Sequence, residues 1–168
     1  DGLWCAFDAC LMGLGTERYA AGGITREQQD DLAMKSNVRA AAAIAAGRLA
    51  DEIVPVSIPQ RKGDPKIVDT DEGVRADTTM DSLGGLKPAF DKEGTITAAN
   101  ASQISDGGSA IVLMSEKAVN ARGVQPLGQF VSYGMVAGPD SASLLQQPSR
   151  AINAALARAG KTVADVDL

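Results

Sequence analysis

The segment from Thr25 to Ala46 has the sequence of one long helix, and it constrains the fold more than any other part of the chain. Thr25 and Gln28 form a capping box, in which the Thr hydroxyl and the Gln amide pair with free backbone N–H groups. Gly47 is placed to end the helix. Apolar residues recur at helical spacing at Met34, Val38, Ala41, Ala45 and Leu49. We predict that this stripe of small residues packs against a second helix.

The rest of the first hundred residues has weaker patterns. A short helix is predicted near residues 16–21, an edge strand at residues 53–58, and a further strand at residues 95–97. Residues 60–95 lack a clean period and mix basic with acidic side chains, which is typical of surface loops. This half is therefore expected to be mostly helical and rich in loops.

The pattern changes after residue 105. Residues 110–114 form an apolar run of strand length, as in a strand buried on both faces, and residues 127–137 form a second strand-like segment. Ser115 and Gly123 bracket a predicted helix over Glu116–Arg122. Another helix is predicted from Pro148 to Gly160, with Ile152, Leu156 and Ala159 on one face. Strands alternating with helices predict α/β layering.

Composition excludes several classes of function. The 168 residues carry a net charge of -5 and a sequence pI near 4.7, which argues against a nucleic-acid surface or an anionic membrane as partner. The longest apolar run, residues 40–46, is far shorter than the ~20 residues of a membrane span. No signal peptide is visible, and two cysteines make no disulfide framework, so a cytoplasmic location is expected.

Histidine is absent from the sequence, so these residues cannot by themselves complete Ser-His-Asp, Cys-His or His-metal chemistry. Walker-like and calcium-loop-like segments fail at essential positions, and no metal site is predicted. Cys5 and Cys10 have the spacing of neither a zinc ribbon nor a redox pair. The carboxylate pairs Asp30-Asp31 and Asp51-Glu52 are interpreted as solvated helix faces, because adjacent helical positions point in different directions. We predict no catalytic residue in this chain.

Both ends are apolar: the sequence opens on Asp1-Gly-Leu-Trp and closes on an apolar alternation ending at Leu168. Natural termini are more often polar and frayed. The chain is therefore expected to be cut from a longer protein.

Several blocks of sequence, in order along the whole chain, resemble one family. They include Leu11-Met-Gly13, Asp51-Glu-Ile-Val-Pro-Val56, Leu86-Lys-Pro-Ala-Phe90, Gly94-Thr-Ile-Thr-Ala-Ala-Asn-Ala-Ser102, Ser105-Asp-Gly-Gly108 and Gln125-Pro-Leu-Gly128. At this spacing they are similar to the thiolases, which comprise acetyl-CoA acetyltransferases and 3-ketoacyl-CoA thiolases.

The resemblance implies an α/β fold of two layered halves, with an inserted, mostly helical loop domain that binds coenzyme A. Residues 1–104 would be that loop domain, residues 105–122 the end of the N-terminal half, and residues 123–168 the start of the C-terminal half. It also implies Claisen chemistry through an acyl-cysteine, acyl-CoA as substrate, no prosthetic group, and a homodimer or homotetramer. The catalytic motifs of the family would lie outside this chain, which alone should be inactive.

The resemblance also implies which residues contact coenzyme A. Leu3, Met12 and Phe90 match the apolar wall along the pantetheine and acyl group. Arg75 and Ser82 match the nucleotide end, and Ala99 and Ser102 match a small-residue turn beside the pantetheine amides. Leu3 and Phe90 could equally be ordinary core residues, and Arg75 a surface cation. Leu11 replaces a frequent histidine of short-chain enzymes, so chain length stays open.

Three interpretations of the function remain at this point. The first is part of an acyltransferase, with acetyl-CoA acetyltransferase preferred over a longer-chain thiolase. The alternative is a stand-alone, non-catalytic module that binds coenzyme A or acyl-CoA. A purely structural domain would bind no coenzyme A at all.

Overall fold

The computed structural model describes residues 3–140 and 142–167. Asp1, Gly2 and Leu168, which belong to the predicted apolar ends, lie outside the described residues. The helices and strands in chain order are β1 (Trp4–Cys5), β2 (Cys10–Leu11), α1 (Met12–Ala20), α2 (Arg26–Ala45), β3 (Val56–Ile58), β4 (Lys66–Val68), α3 (Met80–Gly84), α4 (Glu116–Arg122) and α5 (Gln147–Arg158). Short 3₁₀ turns occupy Ala50–Glu52, Ala142–Gln146 and Val163–Asp165.

The chain divides into two compact units. One unit is Leu11–Gln103, and the other combines the described residues up to Cys10 with those from Ile104 onward. The first unit contains α1, α2, α3 and the β3–β4 ribbon. The second unit contains α4, α5 and the segments around them.

The ends of α2 confirm the helix predicted from the sequence. The backbone N of Gln28 donates to Oγ1 of Thr25 at 3.2 Å, and the backbone N of Thr25 donates to Oε1 of Gln28 at 2.9 Å. At the other end Gly47 has a φ of 68°, in the left-handed region. The N–H of Gly47 donates to the Ile44 carbonyl, and the N–H of Arg48 donates to the Ala43 carbonyl. These two bonds form the Schellman pattern.

The side of α2 that is covered differs from the predicted one. Val38, in the predicted apolar stripe, is 48% exposed, and Ala45 and Leu49 are also exposed. The only residue of α2 that is fully buried is Asp30, at 2% exposure. The predicted packing of the stripe is therefore wrong, because the partner of α2 is the short helix α3 and the covered face carries polar groups.

Asp30 is the centre of a polar network that joins three parts of the first unit. Its carboxylate accepts from Nε of Arg26 at 2.6 Å and from Nδ2 of Asn100 at 2.9 Å. Arg26 also donates to the carbonyl of Leu83, at the end of α3, at 2.6 Å. The solvated-face prediction is thus wrong for Asp30. It is confirmed for Asp31, which makes an exposed pair with Lys35.

A second carboxylate holds the segment after Phe90 against α1. Glu17 accepts from the backbone N–H of Thr95 and of Ile96 at 2.8–3.0 Å, and from the Thr95 hydroxyl at 3.0 Å. A Cβ at Gly94 would collide with this carboxylate, so only glycine allows the approach. The predicted strand at residues 95–97 does not form, because side chains rather than a neighbouring strand satisfy this backbone.

The β3–β4 ribbon pairs Val56 with Val68 and Ile58 with Lys66 in antiparallel register. The predicted strand at residues 53–58 is thus correct in type but shorter, since the pairing begins at Val56, after Pro55, which has no backbone N–H to donate. Its partner β4 lies within the segment predicted to be irregular. β4 has only three residues, one of them the charged Lys66, and both strands of the ribbon are largely exposed, so the sequence shows no clear alternation there.

In the second unit, both predicted helices form. Ser115 accepts from the N–H of Ala118 at the start of α4, and Gly123 ends it with a φ of 61°. Beyond α5, Gly160 has a φ of 66°. In the last 3₁₀ turn, hydrogen bonds from the backbone and the hydroxyl of Thr162 lower the pKa of Asp165 from its ordinary value.

The predicted strands at residues 110–114 and 127–137 are absent from the described part of the chain. Ile111 and Val112 are each 81% exposed, and Phe130 is also exposed. A strand buried on both faces requires neighbouring strands and covering helices. The described residues place no strand beside either segment, so the apolar runs stay uncovered.

Around Tyr133 the chain is held to α5 by polar contacts. Arg158 lies over the Tyr133 ring at 4.6 Å and donates to the Tyr133 carbonyl at 2.8 Å. The Ser132 hydroxyl donates to the Ala155 carbonyl at 2.7 Å. The Tyr133 carbonyl and the Ser132 hydroxyl thus both have hydrogen-bond partners on α5.

We expect Asp30→Ala to lower the free energy of unfolding by about 3 kcal/mol, because it leaves the partly buried Arg26 guanidinium without its ion-pair partner and removes one of the two acceptors of the Asn100 amide. Urea unfolding followed by circular dichroism measures this change. Asp31→Ala is the matched control, since it removes an exposed i,i+4 pair worth less than about 1 kcal/mol. Equal small losses in both variants would contradict the role given to Asp30.

Candidate functional site

A groove of about 1180 Å³ lies within the first unit. One wall is α2, the second is the segment from Asp71 to Thr78 with the following helix α3, and the floor is the turn at residues 98–103. Its lining combines small apolar, hydroxyl and amide groups: Gln29, Leu32, Ala33, Ser36, Asn37, Ala40, Asp71, Glu72, Gly73, Val74, Arg75, Asp77, Thr78, Ser82, Leu83, Leu86, Ala98, Ala99, Asn100, Ala101, Ser102 and Gln103.

Four of the residues singled out in the sequence meet in this groove. Arg75, Ser82, Ala99 and Ser102 all line it, although they come from three separate stretches of chain. A helix, a loop and a turn are thus folded around one cleft.

Arg75 is anchored by its backbone and free at its head group. Its backbone N–H donates to Oδ1 of Asn37 at 2.9 Å, and its carbonyl accepts from the hydroxyl of Thr78 at 2.8 Å. Its side chain is exposed, and within residues 3–140 and 142–167 its guanidinium has no hydrogen bond or ion pair. The guanidinium is therefore available to a planar or anionic ligand.

The charges around Arg75 are mostly negative. Three carboxylates also line the groove, those of Asp71, Glu72 and Asp77. Glu72 pairs at 3.2 Å with Lys66, which is not among the lining residues. Among the described lining residues Arg75 is the single cation. An anionic group entering here would therefore depend on this one side chain.

Ser82 is already engaged by the cap of α3. Its hydroxyl donates to the Thr79 carbonyl at 2.8 Å and accepts from the Thr79 N–H at 3.0 Å. A hydroxyl has one hydrogen and two lone pairs, so one acceptor position remains for a ligand.

The turn that carries Ala99 and Ser102 is fixed from beneath by Thr97, which is completely buried. The Thr97 N–H donates to Oδ1 of Asn100 at 2.7 Å, and its carbonyl accepts from the N–H of Ala101 at 3.0 Å. Because Asn100 also donates to Asp30, the polar network sets the position of the turn on α2. Small side chains at four of the positions of the turn line the cleft: Ala98, Ala99, Ala101 and Ser102.

The sequence reasoning missed the residues that build the walls. Asn37 holds Arg75, Gln29 donates to the Thr95 hydroxyl at 2.8 Å, and Gln103 donates to the Gly73 carbonyl at 3.1 Å. A signal existed for Asn37, because asparagine in a helix interior is unfavourable and its amide usually bonds nearby backbone. Gln29 and Gln103 carry no comparable signal.

Three other predicted residues lie outside the lining of the groove. The ring of Phe90 packs where a Cβ at Gly13 would be, and Met12, half-buried, begins α1 just before that glycine. Leu3 belongs to the other unit and is exposed. The structure therefore places Phe90 at the start of α1. Leu3 lies neither there nor in the lining of the groove.

The groove and the helices, loop and turn that line it lie within one unit of the chain, and comparison with known proteins identifies the family. The thiolase N-terminal domain family matches residues 1–117. The acetyl-CoA acetyltransferase of Thiocystis violacea is 49% identical over 169 residues, covering 100% of this chain and 43% of the relative. A probable acetyl-CoA acetyltransferase of Mycolicibacterium smegmatis is 50% identical with the same coverage. The chain belongs to the thiolase family.

Solved structures agree with the sequence comparison. The acetyl-CoA acetyltransferase of Bacillus anthracis superposes with a TM-score of 0.87 at 40% identity, over 99% of this chain and 42% of that chain. Human mitochondrial 3-ketoacyl-CoA thiolase gives 0.86 at 35% identity. The predicted thiolase-like α/β fold class is confirmed, and the chain spans about 43% of the length of the relatives it matches.

In the described part of the chain, every helix is too short or too polar to span a lipid bilayer.

The contact of Phe90 with α1 can be tested with two glycines of the same helix. We expect Gly13→Ala to lower the free energy of unfolding by about 1–3 kcal/mol, because the new methyl group displaces the Phe90 ring. Gly15→Ala meets nothing within 4 Å and should stabilise the helix by up to about 1 kcal/mol. Urea unfolding of both variants measures the difference, and a stabilising Gly13→Ala would refute the contact.

Proposed function

We propose that residues 1–104 are the coenzyme-A-binding loop domain of a thiolase-family acyltransferase. Residues 105–122 would complete its N-terminal half, and residues 123–168 would begin its C-terminal half. The whole protein would join or split acetyl-CoA and 3-ketoacyl-CoA by Claisen chemistry through an acyl-cysteine, with no prosthetic group. This chain would contribute coenzyme A binding and none of the catalytic residues.

The observation that carries the proposal is the meeting of Arg75, Ser82, Ala99 and Ser102 in one groove. The family resemblance matches these residues to contacts with coenzyme A, and membership of that family rests on independent comparisons. A chance arrangement would not be expected to collect them around a cleft large enough for a long, narrow ligand.

The groove suits the two ends of coenzyme A differently. The Arg75 guanidinium can stack on adenine or bind a phosphate at the nucleotide end. The turn from Ala99 to Ser102 offers backbone groups and a hydroxyl to the pantetheine amides. Because Asp71 and Asp77 oppose negative charge, we propose that pantetheine contacts supply most of the affinity and Arg75 most of the selectivity for the nucleotide.

The apolar wall along the acyl group is assigned to Leu3, Met12 and Phe90. Phe90 and Met12 both lie at the start of α1, which supports a common role for them. Leu11, where short-chain enzymes often have histidine, removes a polar group from that wall. A homodimer or homotetramer in the cytoplasm completes the proposal, as in the implied family pattern.

The function is tested on the gene product that contains this sequence. We expect it to cleave acetoacetyl-CoA when free coenzyme A is added. The decrease in absorbance of the acetoacetyl-CoA enolate measures this cleavage. The 168-residue chain alone should bind coenzyme A in isothermal titration calorimetry without turnover. Binding without turnover by the whole gene product would favour the non-catalytic module. No binding by either would overturn the coenzyme A assignment.

Replacing Arg75 tests the nucleotide end. We expect Arg75→Ala to weaken coenzyme A binding about tenfold and to leave pantetheine binding unchanged, because a charged hydrogen bond or stacking contact is lost. Calorimetric titration of the same chain with both ligands gives the two dissociation constants. Arg61→Ala is the control, since Arg61 is exposed in the β3–β4 connection and does not line the groove. Equal losses of affinity for coenzyme A and for pantetheine would contradict a role of Arg75 at the nucleotide end.

Asn37 is expected to act through Arg75. Asn37→Ala should reduce affinity for coenzyme A about threefold to tenfold, since the backbone of Arg75 loses its hydrogen bond to α2. In the Arg75→Ala background, Asn37→Ala should change the affinity for coenzyme A little, because the position of residue 75 matters only while its guanidinium is present. Ser36→Ala, at the neighbouring lining position, is the matched control. Additive losses in the double variant would contradict this coupling.

A further inference from the structure

Two cysteines lie on paired strands in a tight hairpin. β1 and β2 form a two-stranded sheet joined by residues 6–9, where Ala9 has a positive φ of 48°. A connection this short makes the strands antiparallel. With two residues in each strand, the register that pairs every residue places Cys5 opposite Cys10.

Burial supports this register independently. Cys10 is 8% exposed and Cys5 is half-buried, whereas Trp4 and Leu11 are 52% and 45% exposed. Successive residues of a strand point to opposite faces. The two thiols therefore share the covered face of the hairpin, and Trp4 and Leu11 share the open one.

This arrangement meets the geometric requirement of a disulfide. Residues directly opposite in an antiparallel pair have Cα atoms about 4.5–5.5 Å apart, within the roughly 4.4–6.8 Å that disulfides span. Both cysteines are free thiols in the structure. We propose that Cys5 and Cys10 are a reversible disulfide-forming pair, oxidised by a small-molecule disulfide such as glutathione disulfide. The sequence spacing, which fits no redox motif, conceals the pair because the hairpin turn brings the thiols together.

The exchange proceeds in two balanced steps. The more exposed Cys5, as thiolate, attacks one sulfur of glutathione disulfide, forming a mixed disulfide and releasing one glutathione thiolate. The Cys10 thiolate then attacks the Cys5 sulfur, closing the Cys5–Cys10 bond and releasing the second glutathione. The protein thiols lose two electrons and two protons, and one glutathione disulfide becomes two glutathione molecules.

The test incubates the folded chain with glutathione disulfide, quenches it with iodoacetamide, and maps the cysteine peptide by mass spectrometry without reductant. We expect one intramolecular product about 2 Da lighter than the dithiol, with neither cysteine alkylated. Added reduced glutathione should restore both thiols. Persistent glutathione on wild-type Cys5, covalent dimers, or two alkylated cysteines after oxidation would each overturn the proposal.

Single variants separate the two steps. Cys10→Ser should stop at the mixed disulfide on Cys5, because no second thiol is present to close the bond. Cys5→Ser should stay largely unmodified, since Cys10 is buried. Mixed disulfide on Cys10 forming as fast as on Cys5 would contradict the proposed order of attack. Neither readout involves coenzyme A, so the result is independent of the proposed function.

Discussion

The buried carboxylate of Asp30 is the interaction on which the first unit depends. It accepts from Arg26 on its own helix and from Asn100 on the distant turn, while Arg26 reaches the carbonyl at the end of α3. A buried charge is tolerated only when paired and hydrogen-bonded, so these partners must lie together whenever the unit is folded. Asp30 and its partner Arg26 together hold α2, α3 and the turn at residues 98–103 in fixed positions.

The hydrogen-bond network around Asp30 also determines which groups line the groove. Polar groups beneath the turn at residues 98–103 hold it in place, so small residues can line the cleft without supplying the contacts that fix the turn. Arg75 is held by its backbone instead of by its side chain, which leaves the guanidinium for recognition. Among the described lining residues Arg75 is the single cation beside three carboxylates, so the proposed selectivity for an anionic ligand depends on this residue.

Several elements were predictable because their determinants are local. The capping box at Thr25 and the glycines after α2 and α4 act within a few residues, and those helices begin and end where the sequence indicates. The strands predicted at residues 110–114 and 127–137 do not form in the described part of the chain, because a strand needs a neighbouring strand to pair with. Asp30 was misassigned for a related reason: its neighbour Asp31 has the same chemistry and a solvated position, and only packing distinguishes them.

The sequence by itself determined the long capped helix, the helices of the second unit, and the motif blocks that identify the thiolase family. The tertiary structure alone decided which polar residues are buried, which candidates share the groove, and that Cys5 and Cys10 lie on paired strands. The physical reason is distance along the chain. A cap closes within three residues, whereas the bond from Asn100 to Asp30 joins positions 70 residues apart and forms only when the intervening chain has folded.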